Sequence, residues 1–216
     1  LDLNAIEKKI SIRTKAIICP HIYGQMTNMS KLIKLKKKYK LFLIEDCAES
    51  LGSFYKSKHS GSFSDVATFS FYGSKTITTG EGGMVCSNNK KIIDKVIRLK
   101  LQGIASSKIF YWHDIIGYNY KMTNICASIG VAQLKRIKII LKKKRNLYNR
   151  YFQALKNIPI QFQEESIDSI NSFWLVGGIV KNKNIRTNLM KFLENCGVET
   201  RPGFYPIHTM PMYKKL

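Results

Sequence analysis

Apolar residues fall in short blocks between lysine-rich stretches, and the blocks differ in period. Lys15-Ala16-Ile17-Ile18-Cys19-Pro20, Leu41-Phe42-Leu43-Ile44-Glu45-Asp46 and Val66-Ala67-Thr68-Phe69-Ser70-Phe71-Tyr72 are continuous runs, the pattern of buried strands in an α/β sheet. Between the first two, Met29 to Tyr39 spaces Met29, Leu32, Ile33 and Leu35 helically among lysines. Strand, helix, strand predicts a right-handed parallel crossover. Asn89 to Leu101 predicts a helix, Gln102 to Tyr118 an irregular aromatic-rich segment. Thr123 to Leu155 is helical almost throughout and too long for one ordinary helix, so it is read as two, the second entering a smaller domain near Lys142. Phe173 to Val180 then predicts a strand, Ile185 to Cys196 a helix ended by Gly197, and Val198 to Arg201 another strand. The domains expected are residues 1–142, a larger α/β unit, and 143–216, a smaller one.

The chemistry gathers around one lysine. The second apolar run delivers Asp46 at its carboxyl end, where α/β sheets place their ligands. The third stops at Gly73-Ser74-Lys75, and Gly80, Gly82 and Gly83 let the backbone reverse before Met84-Val85-Cys86. A lysine in a glycine-rich turn is commonly a solvated charge. Here, though, an acid at a strand end, the Ser70 hydroxyl and Lys75 are the parts a pyridoxal phosphate site needs. They are an amine to condense with the aldehyde, a carboxylate to keep the ring nitrogen protonated and a hydroxyl for the phosphate.

Three stretches extend this pattern. Glu45-Asp46-Cys47-Ala48-Glu49-Ser50-Leu51-Gly52, continued by Thr68 to Lys75 and Thr78 to Val85, resembles the pyridoxal-phosphate-dependent nucleotide-sugar aminotransferases. Tyr111 to Ala127 and Glu199 to Tyr213 look most like the GDP-perosamine synthase branch of that family. The resemblance implies an aspartate-aminotransferase-like (fold type I) α/β protein, with a large parallel or mixed-sheet domain and part of a smaller α+β domain. It implies an amino transfer from glutamate to a 4-keto-6-deoxy nucleotide sugar, as in O-antigen and lipopolysaccharide biosynthesis, with a UDP- or dTDP-linked sugar as the alternative substrate. Lys75 is the implied catalytic amine, and histidine at that position would point to a dehydratase instead. Asp46 is implied at the ring nitrogen, Glu49 near the ring's phenolic oxygen and Ser70 at the phosphate. Asn119 matches a loop that reaches the neighbouring subunit's cofactor phosphate, which implies a homodimer with shared active sites. From composition alone, Asn119 equally suits an asparagine tying down its own loop. His208, Arg201 and Tyr205 match a sugar-facing loop, whose prolines also suit a plain connection. His21 matches a loop beside the active site, where a structural histidine is the alternative. One departure is Lys121, where relatives commonly carry arginine, because lysine cannot reproduce a bidentate fork. The family's lysine lies deeper in its chain, so the resemblance implies that about the first third of the fold precedes Leu1 and that the small domain is incomplete. The 216 residues alone are expected to bind cofactor poorly, since a parallel sheet without its first strands exposes pairing edges.

Composition modifies this reading little. Lys+Arg 36 against Asp+Glu 14 gives a formal charge of +22, which raises the alternative of a basic nucleic-acid-binding protein without catalysis. The lysines are strewn along almost every amphipathic segment rather than interleaved with stacking aromatics, so a solvated surface is expected and no nucleic-acid partner. Five dispersed cysteines without a Cys-x-x-Cys pair point to neither zinc nor disulfides. No apolar run is long enough to span a membrane and no leader is apparent, so a cytoplasmic protein is expected.

Overall fold

The computed structural model describes residues 1–105 and 109–213. In chain order the elements are α1 (Leu3–Lys9), β1 (Ala16–Pro20), α2 (Met29–Tyr39), β2 (Phe42–Asp46), β3 (Phe54–Tyr55), β4 (Lys58–His59), β5 (Val66–Ser70), β6 (Gly83–Cys86) and α3 (Lys90–Lys100). There follow α4 (Asn124–Lys135), α5 (Ile137–Leu155), β7 (Ile160–Phe162), β8 (Ser169–Ile170), β9 (Gly178–Val180) and α6 (Lys183–Asn195), then two short 3-10 turns. Two compact units divide the chain, residues 1–149 with 165–175, and residues 150–164 with 176–216.

In the first unit the main sheet has the order β1-β2-β5-β6, with β1, β2 and β5 parallel and β6 antiparallel to β5. The crossover helix α2 is stopped at both ends by local chemistry. The Asn28 side chain accepts from Lys31 N–H at its start, and Lys40 turns left-handed (φ 52°) at its end. Its Met29, Leu32 and Leu35 bury against Ile17, Cys19 and Leu43 of the strands, with Leu3 and Met26 beside them. Leu32 and Leu43 are fully buried, so truncating either to alanine removes about 2–5 kcal/mol.

The continuous runs predict strands covered on both faces, but burial alternates. Ile17, Cys19, Leu43 and Glu45 are buried, whereas Ile18 is 63% and Phe42 61% exposed. Only one face of the β1–β2 pair is packed among the described residues.

Several boundaries also differ from the expected ones. The long helical run breaks at Arg136 (φ −101°, ψ 5°) rather than near Lys142. The compact units part after residue 149, and residues 165–175 return to the first unit, unlike the simple cut after residue 142. Of the strand expected from Phe173 to Val180, only Gly178–Val180 forms, because Phe173 adopts φ 48° and the chain before it is tied to the first unit. The β3–β4 hairpin was invisible to pattern reading. Its two turn residues, Lys56 (φ 46°) and Ser57 (φ 63°), take the left-handed conformation that glycine or asparagine would have signalled.

In the second unit β7 and β9 pair antiparallel from Ile160↔Val180 to Phe162↔Gly178. Asn182 caps α6, and Gly197 (φ +77°) ends it as the sequence predicts. Val198 N–H then donates to the Leu193 carbonyl (2.8 Å), so this segment closes the helix and forms no strand. Among the described residues, no helix is long and apolar enough to cross a membrane.

Candidate active site

Three parallel strands end on the same side of the sheet, and their following loops build the site. β1 ends at Pro20 in register with Asp46, Asp46 is in register with Thr68, and β5 runs on to Ser70. Beyond Ser70 the chain makes the turn that carries Lys75. Lys75 N–H donates to the Tyr72 carbonyl (2.9 Å), the Thr78 hydroxyl to the Phe71 carbonyl (3.0 Å), and Phe71 N–H to the Gly82 carbonyl (2.9 Å). The lysine is therefore presented from a closed loop between two paired strands.

Its ammonium is not solvated as a surface charge would be. The Lys75 side chain is only 15% exposed, with Nζ 3.8 Å from Oε1 of Glu49, itself 11% exposed. Nζ also lies 4.1 Å from the centroid of the Trp174 ring. Burial raises the Glu49 carboxyl above its ordinary value, and the nearby charge of Asp46 adds to this, while the Tyr23 N–H (2.7 Å) and Lys75 oppose it. Glu49 can thus accept a proton more readily than an exposed glutamate. Asp46 is half-buried, and its Oδ1 accepts from Ala48 N–H (3.0 Å). Ser70 is half-buried and its hydroxyl accepts weakly from Tyr72 N–H (3.3 Å). Beside Lys75, Thr76 Oγ1 is buried without a hydrogen-bond partner among the described residues.

His21 does not line a solvent-facing loop. It is 1% exposed, and its Nε2 lies 3.0 Å from Glu45 Oε1. Glu45 also accepts Gly61 N–H (2.9 Å) on Oε1 and Phe63 N–H (3.0 Å) on Oε2. Burial alone would lower the His21 pKa, but the bonds to Cys19 and Glu45 outweigh it and lift it to about 9. The Thr27 N–H, 3.4 Å from Nδ1, would favour a lone pair there, yet a contact that long is weak beside an ionised carboxylate. The bonds to Cys19 and Glu45 thus favour the charged form of His21, and the Thr27 N–H on Nδ1 opposes it. Buried Cys47 lies close to His21 and Glu45, but the donors already present occupy both oxygens of Glu45, and burial pushes the thiol up to about 12. That leaves this cluster no ready metal-binding set.

Asn119 is exposed and bridges Leu101 through its backbone, and its sequence neighbours Tyr118 and Tyr120 stack their rings on one another. Arg201, Tyr205 and His208 belong to the second unit and are exposed there, Arg201 pairing with Glu199 (2.7 Å). Pattern reading missed Trp174, which it placed in a strand, and Tyr23, whose left-handed backbone (φ 54°) allows its ring to stack on Trp174 at 6.1 Å. No local signal marks either residue, because both act through contacts distant in sequence.

A mostly buried amine, a carboxylate that is readily protonated, a second carboxylate at a strand end and a hydroxyl one strand over form a donor set suited to pyridoxal phosphate. The comparisons agree. The DegT/DnrJ/EryC1/StrS aminotransferase family model matches residues 1–216. GDP-perosamine synthase of Vibrio cholerae is 49% identical over 218 residues, covering 100% of this chain and 59% of that protein. Among solved structures, Helicobacter pylori PseC, an aminotransferase involved in the biosynthesis of pseudoaminic acid, superposes with a TM-score of 0.94 at 27% identity, covering 100% of this chain and 59% of that one. The PLP form of Spr1654 from Streptococcus pneumoniae gives 0.89 at 26% identity, covering 100% and 61%. The chain thus spans about three-fifths of the length of these relatives.

Proposed function

The chain belongs to the DegT/DnrJ/EryC1/StrS aminotransferase family, and from that premise we propose that it carries the reactive lysine of a pyridoxal-phosphate-dependent sugar-nucleotide aminotransferase. The substrate is a GDP-linked 4-keto-6-deoxy sugar and the amino donor glutamate, the reading favoured by 49% identity to a GDP-perosamine synthase. The observation that carries it is the Lys75 amine, mostly buried between Glu49 and Trp174 on the turn that follows β5.

Bound here, pyridoxal phosphate would supply an aldehyde to receive the amino group and an electron-withdrawing ring to ease proton loss from the neighbouring carbon. The residues divide the remaining work. Asp46 would hold the ring nitrogen's proton, and Ser70 would donate to the phosphate. Glu49, with its raised pKa, has a proton to share at the ring's oxygen. Lys75 Nζ would anchor the aldehyde at rest and, once displaced, carry the proton between donor, cofactor and sugar. The low exposure of Lys75 and Glu49 keeps competing water from that amine.

In the second unit, Arg201 would face the diphosphate, with His208 and Tyr205 at the sugar. Asn119 would serve the partner subunit's cofactor in a homodimer, consistent with its exposure. Residues 1–149 with 165–175 would belong to the larger cofactor-binding domain, and residues 150–164 with 176–216 to the smaller one. The setting is cytoplasmic synthesis of an O-antigen sugar. In the full chain, the visible absorption of lysine-bound cofactor should appear on adding pyridoxal phosphate and vanish in Lys75→Ala. An unchanged band in that variant refutes the assignment. Competition among GDP-, UDP- and dTDP-linked 4-keto sugars, read as amino-sugar product, tests the nucleotide.

A further inference from the structure

Residues 165–175 leave the second unit's sequence neighbourhood and sew the loops of the first together. Arg145 grips Glu165 with two bonds of 2.8 Å, and Glu165 in turn accepts Asn171 N–H (2.6 Å). Ser172 N–H donates to Ser53 Oγ (3.1 Å), whose own hydroxyl donates to the Gly24 carbonyl (2.6 Å). Phe173 stacks on Tyr148 at 3.9 Å, and Lys144 Nζ donates to the Trp174 carbonyl (3.0 Å). The backbone of Trp174 is therefore held from several sides before its side chain is considered.

Trp174 is buried, and its side chain does two separate things. Its indole Nε1–H donates to the Ser74 carbonyl (2.8 Å), the peptide immediately before Lys75. Its ring lies 4.1 Å from the Lys75 Nζ. A residue serving only to fill space needs neither a polar partner nor an ammonium near its ring. Tethering one end of the lysine by a hydrogen bond and the other by cation–π attraction fixes where the amine sits.

We propose that Trp174 is a positioning residue for Lys75, holding the lysine's backbone through the indole N–H and its Nζ near the ring, so that the amine is pre-placed for an incoming aldehyde. The inference rests on Lys75 being the reactive amine. It is tested with the full chain, pyridoxal phosphate as the probe, reduction with borohydride to fix the condensed product, and peptide mass mapping to read the labelling rate of Lys75 against the surface lysines. Lys75 should label faster than those lysines in the unaltered chain. Trp174→Leu should slow Lys75 about tenfold with the surface lysines unchanged, and Trp174→Phe, which keeps a ring and loses the N–H, about threefold. Phe173→Leu, a change in the same segment without contact to Lys75, should lower Tm and leave the Lys75 rate intact. Equal Lys75 rates in the unaltered chain and Trp174→Phe overturn the proposal, and that arm decides if Trp174→Leu does not fold. A loss in Phe173→Leu as large as in the Trp174 variants also overturns it, by showing a merely structural effect. If Lys75 labels no faster than surface lysines in the unaltered chain, the reading of Lys75 fails and the proposal with it.

Discussion

Replacing Glu45 by glutamine should destabilise the first unit severely and alter its response to pH. The glutamate accepts three hydrogen bonds, from His21 Nε2 and the amides of Gly61 and Phe63, at 2.9–3.0 Å, and is itself 0% exposed. Glutamine presents an NH₂ where one of these donors already points and leaves the His21 imidazolium buried without a counter-charge. Breaking a buried pair in this way costs about 3–5 kcal/mol. For a chain of this size that is a fall in Tm of roughly 6–20 °C. His21 has its pKa raised from 6.5 to about 9, so its contribution is fully present below pH 6.5 and is lost as pH rises through about 9. The bond to His21 and the two amides hold Glu45 below 4.5 against the opposing effect of burial, so its contribution is present above pH 4.5 and lost as pH falls through that lowered value. The stability difference between the two proteins, followed by circular dichroism melts across pH, should therefore be greatest between about pH 4.5 and 6.5 and shrink on either side. A fall of less than about 3 °C, or a difference independent of pH, refutes the account of a charged, fully paired buried couple.

The other expectations concern smaller parts of the same unit. Asp65 accepts from Lys36 Nζ (2.7 Å) and Leu43 N–H (2.8 Å), bonds that hold its pKa below 3.8 although burial opposes them. Asp65→Asn should cost about 1–2 kcal/mol at neutral pH in urea unfolding, with the difference vanishing as pH falls through the lowered pKa. Gly24 has φ +88°, and an added Cβ would lie 2.4 Å from Asn171 Oδ1 and 3.1 Å from Phe173 N. Gly24→Ala should accordingly cost about 2–4 kcal/mol and make Trp174 more accessible to acrylamide quenching, read in a Trp112→Phe background. On the proposed pairing of Asp46 with the ring nitrogen, Asp46→Asn should retain cofactor absorption yet lower transamination by at least about tenfold, because an amide cannot hold that nitrogen's proton electrostatically. Single-turnover kinetics check this.

What was legible in the sequence was what neighbouring residues encode. Leu41 to Asp46 reads as a strand because its apolar run is unbroken, and Met29 to Tyr39 as a helix because Met29, Leu32 and Leu35 share one face. The lysine turn was legible through its glycines, and the family motifs brought Asp46, Glu49 and Lys75 into one hypothesis. Contacts that bring distant residues together were not. His21 looks like a loop histidine until Glu45, 24 residues away, is found beside it. Phe173 and Trp174 look like strand residues because β-propensity describes a half-buried surface, and that is equally the surface of a segment locked into loops. Continuous hydrophobicity likewise overstated the cover on β1 and β2, since the run alone cannot tell which neighbours are present.

The lysine turn and its aromatic cap are 100 residues apart in the chain, and this orders events during synthesis. A nascent polypeptide can pair β1, β2 and β5 soon after they emerge from the ribosome, yet the pocket around Lys75 has to wait until residue 174 has also left the exit tunnel. Protein engineers who cut after residue 149, where the first compact stretch ends, would obtain the strands and the lysine without the piece that seats it. A shortened gene that keeps 165–175, grafted by a linker or by circular permutation, retains the contacts that hold the amine here.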